Sequence, residues 1–269
     1  MTRDPPRIAS RSNAHFRSVR ALAGSAAERR RTRRTLLDGA HLVAAYLARA
    51  LPALIAVSES ARDDPEIRQL LERAPNAPRV CFSDALFAQL APVQTPTGIL
   101  AVIDIPENPA GKPNGSLLVM LDAIQDPGNV GTIIRAAAGA GADAVLLSAQ
   151  CADPWSPRTL RAAMGAHFAL RIHAHCDLER AVREFEGRVI ATAGRGGVAP
   201  HALPLTGPVA LLFGSEGAGL SEPLAKAAHA AISIPLARGI ESLNVGAAAA
   251  VILFERVRQL AAAAPVRAR

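Results

Sequence analysis

The chain has 269 residues, half of them hydrophobic, enough to bury one large core or two modest ones. No apolar run reaches the roughly 18 to 20 residues that span a bilayer, and the first thirty residues lack the apolar stretch of a secretory signal, so neither a membrane protein nor a secreted one is expected. The formal charge of +7 is carried wholly by residues 1–40, where ten Arg stand against Asp4, Glu28 and Asp38.

A basic arm, residues 1–34, therefore precedes a neutral body. Guanidinium groups donate to phosphate in pairs, so the arm points to a polyanionic partner, with a solvated tail as the plain alternative. From about 35 to 105, strand-like runs at 35–37, 53–57, 79–82 and 98–103 alternate with helical patterns near 40–50, 64–73 and 83–90, the pattern of a small α/β domain. The three prolines and two glycines of 104–116 read as a linker, counted from 106 to 116.

Residues 117–269 form a second α/β domain. Leu117–Leu121 is continuously apolar, as befits a strand of a parallel sheet covered on both faces. Further strands are expected at 144–147, 169–172, 188–192, 209–213 and 231–234, with helices between most of them. Ligands of such sheets bind beyond the carboxyl ends of the strands, and three polar loops lie at such ends.

In the first loop, Asp126-Pro-Gly-Asn129, Asn129 is read as the cap of the following helix, with Arg135 nearly two turns on as a solvated group or a phosphate ligand. The second, Gly214-Ser-Glu-Gly-Ala-Gly219, places flexible backbone and the Glu216 carboxylate after a buried strand. It matches neither a Walker loop nor GxGxxG, and no nicotinamide-binding fingerprint occurs elsewhere. The third leads from Ile234 through Leu236 to Ser242-Leu243-Asn244, where Ser242 or Asn244 can cap a long alanine-rich helix whose free N–H groups attract polar ligand atoms.

Cys81, Cys151 and Cys176 are widely spaced, which suits a reducing cytoplasm better than a disulfide framework. His173, His175 and Cys176 would share a strand face in part but lack the further ligands of a zinc site, so no metal is expected. Aromatic residues are few, which argues against a base-stacking platform and for recognition by shape and phosphate.

At these three motifs the chain resembles the SpoU (TrmH-type) RNA 2′-O-ribose methyltransferases of the SPOUT superfamily. The likeness spans roughly 117–260, and residues 30–105, with Asp38-Gly-Ala-His-Leu-Val43 and Thr97-Gly-Ile-Leu-Ala101, resemble the family's substrate-binding domain. It implies a C-terminal trefoil knot, a homodimer and S-adenosylmethionine as cofactor, without membrane or metal. Gly214, Ile234 and Leu243 would hold the cofactor, with Thr192, Leu212 and Leu236 as further pocket residues. Asn129, Arg135, Glu216, Ser242 and Asn244 would surround the reacting ribose. A guanidinium is a poor proton acceptor near neutrality, so Arg135 is read as a phosphate clamp that polarises the 2′-hydroxyl, and Glu216 as a group that orients a hydroxyl or offsets the sulfonium charge. Ribosomal RNA is the expected substrate. Transfer RNA, or a non-catalytic role in RNA binding or ribosome assembly on the same fold, are the alternatives. Ala136 and Gly246 depart from the residues usual in the family.

Overall fold

The computed structural model describes residues 6–91, 97–108 and 113–263; residues 1–5 of the arm and 109–112 of the linker lie outside them. The chain divides into two units, Met1–Glu107 with Trp155–Gly165, and Asn108–Pro154 with Ala166–Arg269.

In the first unit, strands β1 (Arg7–Ile8), β2 (Arg34–Asp38), β3 (Leu54–Ser58), β4 (Arg79–Phe82) and β5 (Ile99–Asp104) form a mixed sheet in the order β1-β4-β3-β5-β2. From Pro6 onward the arm is not a solvated tail. It supplies β1 and the helices α1 (Ala14–Gly24) and α2 (Ala26–Thr32). Phe16, Val19 and Leu22, spaced i, i+3, i+6 along α1, are buried against Leu36, Val80, Phe82 and Leu100. Phe16 meets Phe82 edge to face with ring centroids 6.0 Å apart. Buried Arg29 donates to the Leu22 carbonyl at 2.6 Å, so one arm guanidinium serves the C-terminus of α1.

Helices α3 (Ala40–Leu47), α4 (Pro65–Glu72) and α5 (Asp84–Phe87) complete the sequence-derived part of this unit. The structure adds α7 (Pro157–Ala163), which the sequence reading left with the second domain. Thr35 Oγ1 donates to the Trp155 carbonyl at 2.6 Å, and Arg161 pairs at 3.1 Å with Asp38, whose side chain is 1% exposed. Burial raises the Asp38 pKa, and the Arg161 charge offsets this in part.

The second unit is a six-stranded sheet of β6 (Leu117–Leu121), β7 (Ala144–Leu147), β8 (Arg171–His173), β9 (Arg188–Thr192), β10 (Val209–Phe213) and β11 (Ala230–Ile232). All pairings are parallel, in the order β11-β9-β10-β6-β7-β8. β10 thus enters between two strands that precede it, and the chain then passes to the outer side of β9.

Helices α8 (Leu178–Glu184) and α9 (Glu222–Ala227) cover one face, where Leu178, Val182 and Leu224 join Leu118, Met120, Val189 and Leu212 in a core. α6 (Pro127–Gly139) and α10 (Val245–Ala263) pack against each other. A Cβ on Gly246 would lie 2.9 Å from Thr132 Cγ2, so the bare glycine lets the first turn of α10 meet α6. At the other end of α10, buried Arg256 donates to the carbonyls of Ser116 and Gly207 at 3.0 and 3.2 Å.

His167 Nε2 lies 2.7 Å from the Pro154 carbonyl, bracketing residues 155–165, and burial pushes this imidazole down to about 4. β8 ends at His173 and His175 adopts a left-handed backbone, φ 56°, so these two histidines do not alternate along one strand. Among the described residues no His, Cys, Asp and Glu group is arranged to hold a metal.

Candidate active site

The loops after β9, β10 and β11 gather at the carboxyl ends of their strands around a cavity of about 330 Å³. Five of the six expected cofactor positions, Thr192, Gly214, Ile234, Leu236 and Leu243, line it. Leu212 does not. Its side chain is fully buried in the core, and its carbonyl accepts the Thr192 hydroxyl at 2.9 Å. Ser242 and Glu216 also line the cavity, and Glu216 is the one charged residue among the described lining groups.

Local chemistry explains each loop. Ser215 and Gly219 exchange backbone hydrogen bonds of 3.0 and 2.9 Å, closing Gly214–Gly219 into a tight loop. Gly219 takes φ +71°, and a Cβ on Gly214 would come within 2.1 Å of the Gly219 carbonyl carbon. Asp122, at the end of β6, accepts the Ser221 N–H at 2.9 Å and ties this loop to the neighbouring strand.

Asn129 is not the cap that the sequence suggested. Asp126 caps α6, accepting the Asn129 N–H at 2.9 Å, and Pro127 occupies the first helical position, where its missing N–H leaves nothing unsatisfied. The Asn129 side chain is thereby released toward the site. Asn244 does cap α10, its Oδ1 accepting from Gly246 and Ala247 at 2.9 and 3.2 Å. That bond fixes the amide orientation, so Asn244 Nδ2 donates to Asn129 Oδ1 at 2.8 Å and Asn129 Nδ2 donates to Glu216 Oε1. A directional chain runs from the α10 cap through α6 to the carboxylate.

Arg135 is exposed on α6, and its side chain bonds to no described residue. It lies outside the cavity lining. The backbone N–H groups of Ile234, Leu236 and Leu243 likewise have no acceptor among the described residues, although all three residues line the cavity. Leu243 is 39% exposed, an apolar side chain open at the rim. Apolar walls, free backbone donors and a single carboxylate suit a ligand with a flat heterocycle, hydroxyls and a positive charge. Sequence reasoning did not place Val245, Ala248 and Ile252 in the pocket, although they line the cavity from α10. Their i, i+3, i+7 spacing directly after the loop was the available signal.

Residues 116–254 match the SpoU rRNA Methylase family, more than half of the chain. The chain belongs to that family. It is 35% identical over 84% of its length to the 23S rRNA (guanosine(2553)-2′-O)-methyltransferase RlmP of Bacillus subtilis, covering 90% of that protein. The fold superposes on a crystal structure of an rRNA methyltransferase from Sinorhizobium meliloti with a TM-score of 0.81, at 30% identity, covering 96% of this chain and 99% of that one. The SpoU methyltransferase AviRb from Streptomyces viridochromogenes, solved in complex with AdoMet, matches with a TM-score of 0.80 at 27% identity, covering 92% and 98%. Both of these solved structures thus match the chain across the parallel-sheet unit and the smaller unit that precedes it.

Proposed function

We propose that this chain is a SpoU-family RNA methyltransferase that transfers the methyl group of S-adenosylmethionine to a ribose 2′-hydroxyl of ribosomal RNA. The Asn244–Asn129–Glu216 chain beside the apolar cavity carries the reading, because it orients polar groups at a cavity rim where helix capping alone needs only Asn244.

The cavity residues fit the cofactor. Ile234, Leu236 and Leu243 offer backbone donors to its adenosine, and Gly214 keeps the loop close. When bound, the cofactor supplies an electrophilic methyl on a sulfonium. Glu216 offsets that charge or accepts the ribose hydroxyl, and the two asparagines hold its carboxylate in one orientation. Ser242 adds a hydroxyl at the same rim. Arg135, free of any partner among the described residues, clamps the phosphate next to the target ribose and polarises its 2′-hydroxyl. Alignment of the reacting atoms is the main contribution these residues make.

The active molecule is a homodimer with a trefoil knot formed by the loops around β10 and α10. Val251 and Phe254, 47% and 49% exposed on α10, offer apolar surface to a second copy. Residues 1–34 and 35–105 serve RNA binding, 106–116 link them to the catalytic part from 117 onward, and three unpaired thiols suit the cytoplasm. Among the described residues no helix is long and apolar enough to cross a membrane.

Incubating the purified chain with labelled S-adenosylmethionine and ribosomal or transfer RNA tests the reading. Label in ribosomal RNA ribose is expected; label confined to transfer RNA would replace the substrate, and cofactor binding without transfer to either would leave a binding protein.

A further inference from the structure

Residues 6–34 hold nine arginines and one acid, Glu28, and the structure sorts them into two kinds. Arg7 pairs with Glu59 at 2.8 Å, Arg31 with Glu28 at 2.6 Å, Arg33 with Glu107 at 2.9 Å and Arg34 with Asp104 at 2.9 Å. Arg29 is buried against α1. The charge of these five is committed within the fold. Arg11, Arg17, Arg20 and Arg30 are exposed, and their side chains bond to no described residue; Arg30 lies on α2, and the other three lie on or just before α1.

Arg17 and Arg20 each follow a buried residue of α1, Phe16 and Val19, so they form one exposed stripe three residues apart on a helix that the core holds rigid. Arg11 stands in the turn before the Asn13 cap. No acid lies on α1 to neutralise the stripe. The first unit also has no aromatic face to offer a base: Phe16, Tyr46, Phe82, Phe87 and Trp155 are each 9% exposed or less. Stacking on exposed aromatics, the usual means of holding single-stranded bases, is therefore absent from its described surface.

We propose that Arg11, Arg17 and Arg20 are the surface by which the first unit takes the phosphodiester backbone of RNA, independently of base sequence. The proposal rests on the reading of the chain as an RNA methyltransferase. It locates the contact on three named guanidiniums rather than on the arm's net charge, and deleting the arm cannot test it, because that would remove α1 from the core.

The test is the salt dependence of binding of the full chain to a 23S ribosomal RNA transcript between about 50 and 200 mM salt, where each phosphate contact contributes about 0.7 to 0.9 to the log–log slope. The triple variant Arg11→Gln, Arg17→Gln, Arg20→Gln lowers the slope by about 2 to 3, and Arg17→Gln alone by just under about 1. The double variant Arg31→Gln, Arg33→Gln, whose guanidiniums are already paired, changes it by less than Arg17→Gln alone does. S-adenosylmethionine affinity, read on the second unit, stays at the wild-type value in all of them. An unchanged slope in the triple variant, or an equal loss in the paired double variant, overturns the proposal. If the wild type methylates RNA and the slopes fail, only this assignment falls; if the wild type neither binds nor methylates RNA, the underlying reading falls with it.

Discussion

Asn244 Nδ2 donates to Asn129 Oδ1 at 2.8 Å across 115 residues of sequence, joining the cap of α10 to the first turn of α6. Because Asn244 Oδ1 is engaged by Gly246 and Ala247, the bond has one possible polarity, and that polarity leaves Asn129 to donate to Glu216. Capping and site orientation therefore use different ends of one amide.

Those ends are separable by substitution. Asn244→Asp retains an oxygen cap and loses the donor, so stability stays within about 0.5 kcal/mol of wild type while methyl transfer falls on the order of 10²-fold. Asn244→Ala loses both, with an added cost of about 1 kcal/mol. Urea unfolding and initial rates on the two variants read the split; equal destabilisation by both would show that the Asn129 bond, rather than the cap, holds the helix.

Arg135→Ala removes an exposed side chain with no described partner, so the fold and cofactor affinity persist while transfer is abolished. Calorimetry with S-adenosylmethionine beside a methyl-transfer assay checks this. Loss of cofactor binding in a folded variant would move Arg135 from the RNA to the cofactor.

Gly214→Ala forces the 214–219 loop outward, since the new methyl would sit 2.1 Å from the Gly219 carbonyl carbon. Overpacking of this kind costs about 1 to 3 kcal/mol, and S-adenosylmethionine affinity should drop by about tenfold or more, equivalent to about 1.4 kcal/mol. Wild-type affinity in the variant would mean that the loop does not shape the cavity.

Buried His167 gives the fold a defined acid sensitivity. The unfolded chain takes up a proton on this imidazole near pH 6.5 and the folded chain only near about 4. The unfolded state thus binds more protons in this window, so stability is full above pH 6.5 and is lost as pH falls toward 4, by about 3 kcal/mol in all. Thermal unfolding of wild type and His167→Gln between pH 4 and 7 measures it; the variant should lose this part of the slope, and an identical slope in both would assign it to other groups.

Much of the second unit was legible because its strands are short, continuously apolar runs closed by polar turns: β6, β7, β9 and β10 have the expected bounds. The three site loops were legible for the same reason, each following such a run. α1 and α2 were not, because arginines between Phe16, Val19 and Leu22 hide an i, i+3, i+6 apolar stripe in what reads as a charge run. The placement of α7 depends on Thr35 and Asp38, more than a hundred residues away, which no local pattern encodes. Asn129 was misread although Asp126-Pro127 held the better cap; proline at the first helical position was the deciding signal.

The most direct test of the proposed chemistry is to map methyl groups in ribosomal RNA after reaction with purified protein and labelled S-adenosylmethionine. Label on a ribose 2′-oxygen, absent with Arg135→Ala, is the predicted result. Label on a base, or no transfer from a protein that binds the cofactor, would contradict the account.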